Sequence, residues 1–132
     1  MSDIILMTEN YPLLLTLTLD EKAFAHFDAM RRRFFPPHRN KVPAHITLFH
    51  TLPGAQTDSV SALLEQTAAA RKAFPMRTNG LMFLGGGVAY TVESPDAQAL
   101  RAELAGHWLE FLTPQDKNRP VRPHITVQNR VK

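Results

Sequence analysis

The chain has 132 residues, 44% of them hydrophobic and 20% charged, with a formal net charge of +3 and no cysteine. That length suits one domain, residues 1–132, with enough chain to bury a core. The composition excludes disulfides, Cys-ligated zinc and thiol nucleophiles, and so small a charge permits attraction to anions without demanding it. Met1-Ser2-Asp3 lacks the basic start of a signal peptide, and the apolar stretch Ile4 to Met7 is too short for one. No apolar run approaches the roughly 20 residues of a membrane span. The expected location is cytoplasmic.

Tyr11 to Leu19 reads as a strand, with Leu13, Leu15, Leu17 and Leu19 on one face and Thr16 and Thr18 on the other. Asp20 is a plausible N-cap for a helix from Glu21 to about Phe35, whose apolar stripe is Phe24, Phe27, Met30 and Phe34. Pro36-Pro37 stops it, and a basic loop from His38 to Val42 follows. Thr57 or Asp58 opens a second helix carrying Val60, Leu63, Leu64 and Ala68. Met76 to Leu84 holds one or two short strands. Gly85-Gly86-Gly87 reads as a hairpin turn before a strand from Val88 to Val92. Ser94-Pro95 is a cap followed by proline at the first helical position. The helix it opens carries Leu100, Leu104, Trp108 and Phe111 and ends near Thr113-Pro114, with a second polar loop from Gln115 to Pro123.

One tetrapeptide appears twice. His45-Ile46-Thr47-Leu48 recurs as His124-Ile125-Thr126-Val127, each following a proline within two residues. Alternation along a strand puts His and Thr on one face and the aliphatic residues on the other. Two such strands meeting at a cleft would present two imidazoles and two hydroxyls to one ligand. That set suits a phosphate, because imidazoles exchange protons near neutral pH and hydroxyls bond non-bridging oxygens. For one isolated His-x-Thr, a histidine bonded to backbone at a strand edge is the ordinary explanation. The pair, in repeated context, favours chemistry.

The order strand, helix, polar basic loop, His-x-Thr strand itself occurs twice. It suggests an α+β fold of two lobes, about 10–55 and about 76–130, related by a pseudo-two-fold axis, each with a small sheet flanked by helices. By strand parity Phe49 joins His45 and Thr47, and Gln128 joins His124 and Thr126. Both are candidates for binding substrate, Phe49 by stacking on a base and Gln128 by bonding sugar or base, or else plain cleft wall. Arg39, Lys41, Arg119 and Arg122 lead into the motifs and are candidates to steer a phosphate, whereas Arg31-Arg32-Arg33 reads as a solvated face. Tyr90 and Trp108 fit core packing better than base stacking. His50 falls on the opposite strand face from His45, and no histidine spacing matches a metal motif.

The two tetrapeptides resemble the paired signature of the 2H phosphoesterase superfamily, and within it the 2′-5′ RNA ligase-like proteins, whose eukaryotic cousins include cyclic phosphodiesterases. The resemblance covers roughly residues 10 to 130. It implies a bilobal fold with both motifs flanking a cleft, and metal-independent chemistry on RNA ends or nucleotides carrying cyclic phosphates or 2′-5′ linkages. It assigns His124 as the base that activates water, His45 as the acid that protonates the leaving ribose oxygen, and Thr47 and Thr126 as phosphate ligands. It implies no metal and no nucleotide cofactor. The alternative is a non-catalytic module that holds a nucleotide or RNA end in the same cleft. A general RNA-binding protein driven by basic charge is a weaker third reading, given only +3.

Overall fold

The structure, a computed structural model, describes residues 2–4, 12–118 and 122–128. In chain order its elements are β1 (Ser2–Ile4), β2 (Leu13–Leu17), α1 (Glu21–Phe34), β3 (Ile46–Leu52), α2 (Thr57–Ala69), β4 (Arg77–Phe83), β5 (Val88–Glu93), α3 (Pro95–His107), α4 (Pro114–Asn118) and β6 (His124–Gln128). Two small antiparallel sheets, β1-β2-β3 and β4-β5-β6, together with the helices make this an α+β chain.

The chain divides into two units, and neither is contiguous. Among the described residues, unit one takes β1, β2 and residues 47–75 and 95–118, while unit two takes residues 18–46, 76–94 and 122–128. This differs from the continuous stretches expected at about 10–55 and 76–130. Helix α1 sits with the second sheet and α3 with the first. The reason lies in side chains whose partners are distant in sequence. Phe27 of α1 meets Tyr90 edge-on at 5.4 Å, and Arg31 of α1 donates to the Thr126 carbonyl.

In unit one, β2 alternates as expected: Leu13, Leu15 and Leu17 are buried while Leu14 and Thr16 are half-buried. Each fully buried leucine contributes about 1.5–3 kcal/mol. The strand stops at Leu17, and β1 pairs antiparallel to it with Ile4 opposite Leu15. Val60 and Leu64 of α2 are buried, as are Ala97, Leu100 and Leu104 of α3. Helix α3 ends at His107, earlier than the expected Thr113, and Trp108 closes its last turn by donating to the Leu104 carbonyl. The stretch expected to be a polar loop contains α4 instead. Thr113 starts it, its Oγ1 accepting from the Asp116 amide at 3.4 Å, with Pro114 at the first helical position.

In unit two, Asp20 caps α1, its carboxylate accepting from the Ala23 amide at 2.7 Å. The buried face is Phe27 and Arg31, with Phe35 beyond the helix end also buried and Phe34 exposed. The hairpin between β4 and β5 turns where expected, with Gly85 at φ 82°, a conformation that suits glycine. β5 pairs with β6 so that Thr91 stands opposite His124 and Ala89 opposite Thr126. Tyr11 and Arg119 lie outside the described residues.

Candidate functional site

Both motifs take the same local form. Ile46 and Leu48 in the first, and Ile125 and Val127 in the second, are buried at 3% exposure or less. His45, Thr47, His124 and Thr126 are half-buried on the opposite parity. His45 immediately precedes β3, whereas His124 is the first residue of β6. His45 Nδ1 lies 2.7 Å from the carbonyl oxygen of Pro43, and His124 Nδ1 lies 2.8 Å from that of Arg122. In both cases the partner is the residue two before the histidine. A carbonyl can only accept, so each Nδ1 carries the hydrogen in that bond.

Unit two holds His45, His124 and Thr126, whereas Thr47 belongs to unit one. Within unit two, one turn of α1 reaches both motifs. Asp28 Oδ1 accepts from the amide of Ala44, the residue before His45, at 3.2 Å. Three positions on, the buried Arg31 donates from Nη1 to the Thr126 carbonyl at 2.8 Å and from Nε to Asn40 Oδ1 at 3.2 Å. Its guanidinium carbon lies 3.9 Å from the Phe35 ring centroid. Burial pulls the Arg31 guanidinium below the usual arginine value, and the attraction of Asp28 opposes that pull.

In unit one a comparable arginine braces the first motif strand. Arg101 Nε donates to the Leu48 carbonyl at 3.2 Å, and Nη2 donates to the Asp116 carbonyl at 2.6 Å. Burial lowers this guanidinium too, against the attraction of Asp116. The buried Asp116 carboxylate accepts from the amides of both His50 (3.2 Å) and Thr51 (3.0 Å). Consecutive amides of a regular strand point in opposite directions, so β3 is locally distorted where this carboxylate gathers them.

A family model described as the 2′-5′ RNA ligase superfamily matches residues 19–132, a stretch that contains both motifs. The chain belongs to that superfamily. No curated protein and no solved structure matches it. Among the described residues, no helix is long and apolar enough to cross a membrane.

Within this superfamily member the expected substrate-contacting residues fare differently. Phe49 shares the parity of His45 but is 0% exposed, edge-on to Trp108 at 5.3 Å and under Arg101, whose guanidinium carbon is 4.1 Å from its ring centroid. Phe49 is a core residue and cannot stack on a base, because Trp108 and Arg101 cover its ring. Tyr90 and Trp108 are packed as expected. Gln128 is half-buried at the end of β6, opposite Val88. Arg39 is exposed on a 3-10 turn, and Arg122 is exposed while its carbonyl holds His124.

Arg31, Arg101 and Asp116 were not among the expected functional residues. The solvated face expected of Arg31-Arg32-Arg33 holds for Arg32 and Arg33, which are exposed, but not for the buried Arg31. The signal was present: Phe27, Arg31 and Phe35 are spaced four apart, on one helix face. Arg101 likewise falls among Ala97, Leu100 and Leu104 on the buried stripe. Nothing in the local sequence marks Asp116 as buried.

Proposed function

We propose that the protein is a metal-independent phosphoesterase of the 2′,3′-cyclic phosphodiesterase or 2′-5′ RNA ligase-like type, acting on RNA ends or nucleotides. What carries this reading is the duplicated His-x-Thr motif, each copy with its Nδ1 committed to the carbonyl two residues back, within a chain of this superfamily. The reading requires both motifs to serve one phosphate. The turn Asp28 to Arg31, bonded to the lead-in of His45 and to the strand of His124, supports that requirement.

In hydrolysis, His124 Nε2 takes a proton from water as its oxygen bonds to phosphorus. The phosphorus–oxygen bond to one ribose hydroxyl position breaks, and His45 Nε2 delivers a proton to that oxygen. Thr47 and Thr126 hydroxyls donate to the non-bridging oxygens, where charge builds in the transition state. Two imidazoles suit the task because the imidazole side chain can both accept and donate a proton, so one can act as base while the other acts as acid. Reversal uses the same groups, so a ligase direction needs no further residue.

The test is incubation, with EDTA present, with a panel of 2′,3′-cyclic nucleotides and a 2′-5′ dinucleotide, followed by phosphorus NMR. His45→Ala and His124→Ala are each expected to reduce turnover by about 10²–10⁴-fold, and the wild type to show a bell-shaped pH profile. Ligand binding without turnover by the folded wild type, surviving His124→Ala, would instead mark a binding module.

A further inference from the structure

The sheet of unit two carries polar groups beside His124 that the two-histidine chemistry does not use. Thr91 is the cross-strand partner of His124. The neighbouring pair is bonded, with the Val92 amide donating to the Pro123 carbonyl at 2.9 Å. Bonded and non-bonded pairs alternate in an antiparallel ladder, so Thr91 and His124 form a non-bonded pair, the type with the closer side chains. On the far side of Thr91 the register of β4 slips. Thr78 faces Val92 and Gly80 faces Thr91, which leaves Asn79 as an extra residue. This is a β-bulge, a device that re-aims a side chain. Here it aims Asn79 at Thr91, whose Oγ1 donates to Asn79 Oδ1 at 2.6 Å. A Cβ on Gly80 would stand 3.3 Å from Thr91 Oγ1, so glycine leaves the hydroxyl room to make that bond.

The consequence is chemical. With Oδ1 engaged, the amide of the exposed Asn79 has two N–H donors to offer a ligand, and the Thr91 oxygen keeps lone pairs that can accept. Strands lie about 4.8 Å apart, so Thr91 is one strand spacing and Asn79 about two from the His124 position. A phosphate held by His124 and Thr126 does not extend that far, but the nucleoside attached to it does. Every common base carries a hydrogen-bond acceptor on its sugar edge, pyrimidine O2 or purine N3, next to the ribose. We propose that Asn79 and Thr91 form a nucleoside-binding pair, with Asn79 donating to the sugar-edge acceptor of the base and Thr91 holding the amide in place. The proposal rests on the phosphate site described above and specifies its substrate as a nucleotide rather than a bare cyclic phosphate. Because the acceptor is common to all four bases, the pair distinguishes nucleoside from no nucleoside and discriminates little among bases.

The experiment compares uridine 2′,3′-cyclic phosphate with the 2′,3′-cyclic phosphate of methyl riboside, which has the sugar and phosphate but no base. Wild type is expected to prefer the nucleotide. Asn79→Ala should lower that preference, as a ratio of kcat/KM values, by about 3- to 10-fold, the worth of one neutral hydrogen bond. Thr91→Val should lower it less, in the same direction. A general structural effect would weaken both compounds together, so a preference ratio equal to that of wild type overturns the proposal. The same ratio taken from dissociation constants by NMR titration needs no turnover. A wild type that binds the nucleotide without hydrolysing it, and loses its preference in Asn79→Ala, would retain the pair and remove the catalytic reading. A wild type that binds neither compound overturns the pair together with the phosphate site.

Discussion

The two motif strands are braced by the same device built in two different settings. Each has a buried arginine on a helix, stacked on a phenylalanine and donating to a main-chain carbonyl of the motif: Arg101 to Leu48 and Arg31 to Thr126. They differ in the acid that accompanies the arginine. Asp116 is 2% exposed and its carboxylate holds two strand amides. Asp28 has a 16% exposed side chain, shared between the exposed Arg32 and the single amide of Ala44. The first brace is therefore a closed network in which each member depends on the others, while the second is open and its acid is replaceable by water. Closed polar networks are costly to break and open ones are not. The strand of His45 is thus fixed mainly through folding stability, and the strand of His124 through a local contact whose loss the fold can survive.

The largest effect should come from Asp116→Ala. It orphans two strand amides and leaves the buried Arg101 guanidinium without its nearby charge. The expected loss is about 3–5 kcal/mol of unfolding free energy, measured by urea denaturation. A loss below about 1 kcal/mol, the range of an exposed ion pair, would break the contrast, since it would mean that water reaches this site as readily as it reaches Asp28.

Arg31→Met comes next. The methionine keeps much of the apolar stem against Phe35 but cannot donate to the Thr126 carbonyl or to Asn40. Stability should fall by about 1–3 kcal/mol. The sharper readout is kinetic. Misplacement away from the chemistry can cost on the order of 10²-fold, and a partial slip of β6 should lower kcat by roughly 10-fold with KM little moved. A variant that loses stability with full kcat would reduce Arg31 to packing alone.

Much of the local structure was legible because the signals were local. Alternating leucines mark β2, Asp20 marks the start of α1, Ser94-Pro95 marks the start of α3, and the glycine run marks the β4–β5 turn. The two motifs were legible as strands because hydrophobic and polar positions alternate through each. What escaped reading depended on partners far along the chain. Helix α1 packs with β5 and β6 through Phe27–Tyr90 and Arg31–Thr126 respectively, and neither pair leaves a trace in sequence order. Phe49 has the parity of a ligand-facing residue, yet Trp108 and Arg101 cover it. Helix α4 differs, because its signal is local. Thr113-Pro114 repeats the cap-and-proline pattern of Ser94-Pro95, but its position after a long apolar stripe made it look like a helix end. For Arg31 composition points the wrong way: three arginines in a row suggest solvent, although helical rotation must turn one of them inward when Phe27 and Phe35 flank it at four-residue spacing.

The smallest effect tests the open brace directly. Asp28→Ala removes the acceptor of the Ala44 amide and the partner of Arg32, whose side chain is 66% exposed. The exposed ion pair is worth little, since solvent screens it and ordering a long arginine costs entropy. The amide can turn to water because its acceptor is not sealed away, and the buried Arg31 loses the attraction of Asp28 but keeps its own hydrogen bonds, so the stability cost should be about 1–2 kcal/mol. The Arg31 bonds to Thr126 and Asn40 remain, which keeps β6 in place. What changes is the lead-in to His45. The Ala44 amide resonance should move and its hydrogen exchange should quicken, while Thr126 and Val127 stay protected. If Asp28→Ala instead destabilised the chain as much as Asp116→Ala, the two braces would be energetically alike, and solvent exposure of the acid would not be what separates them.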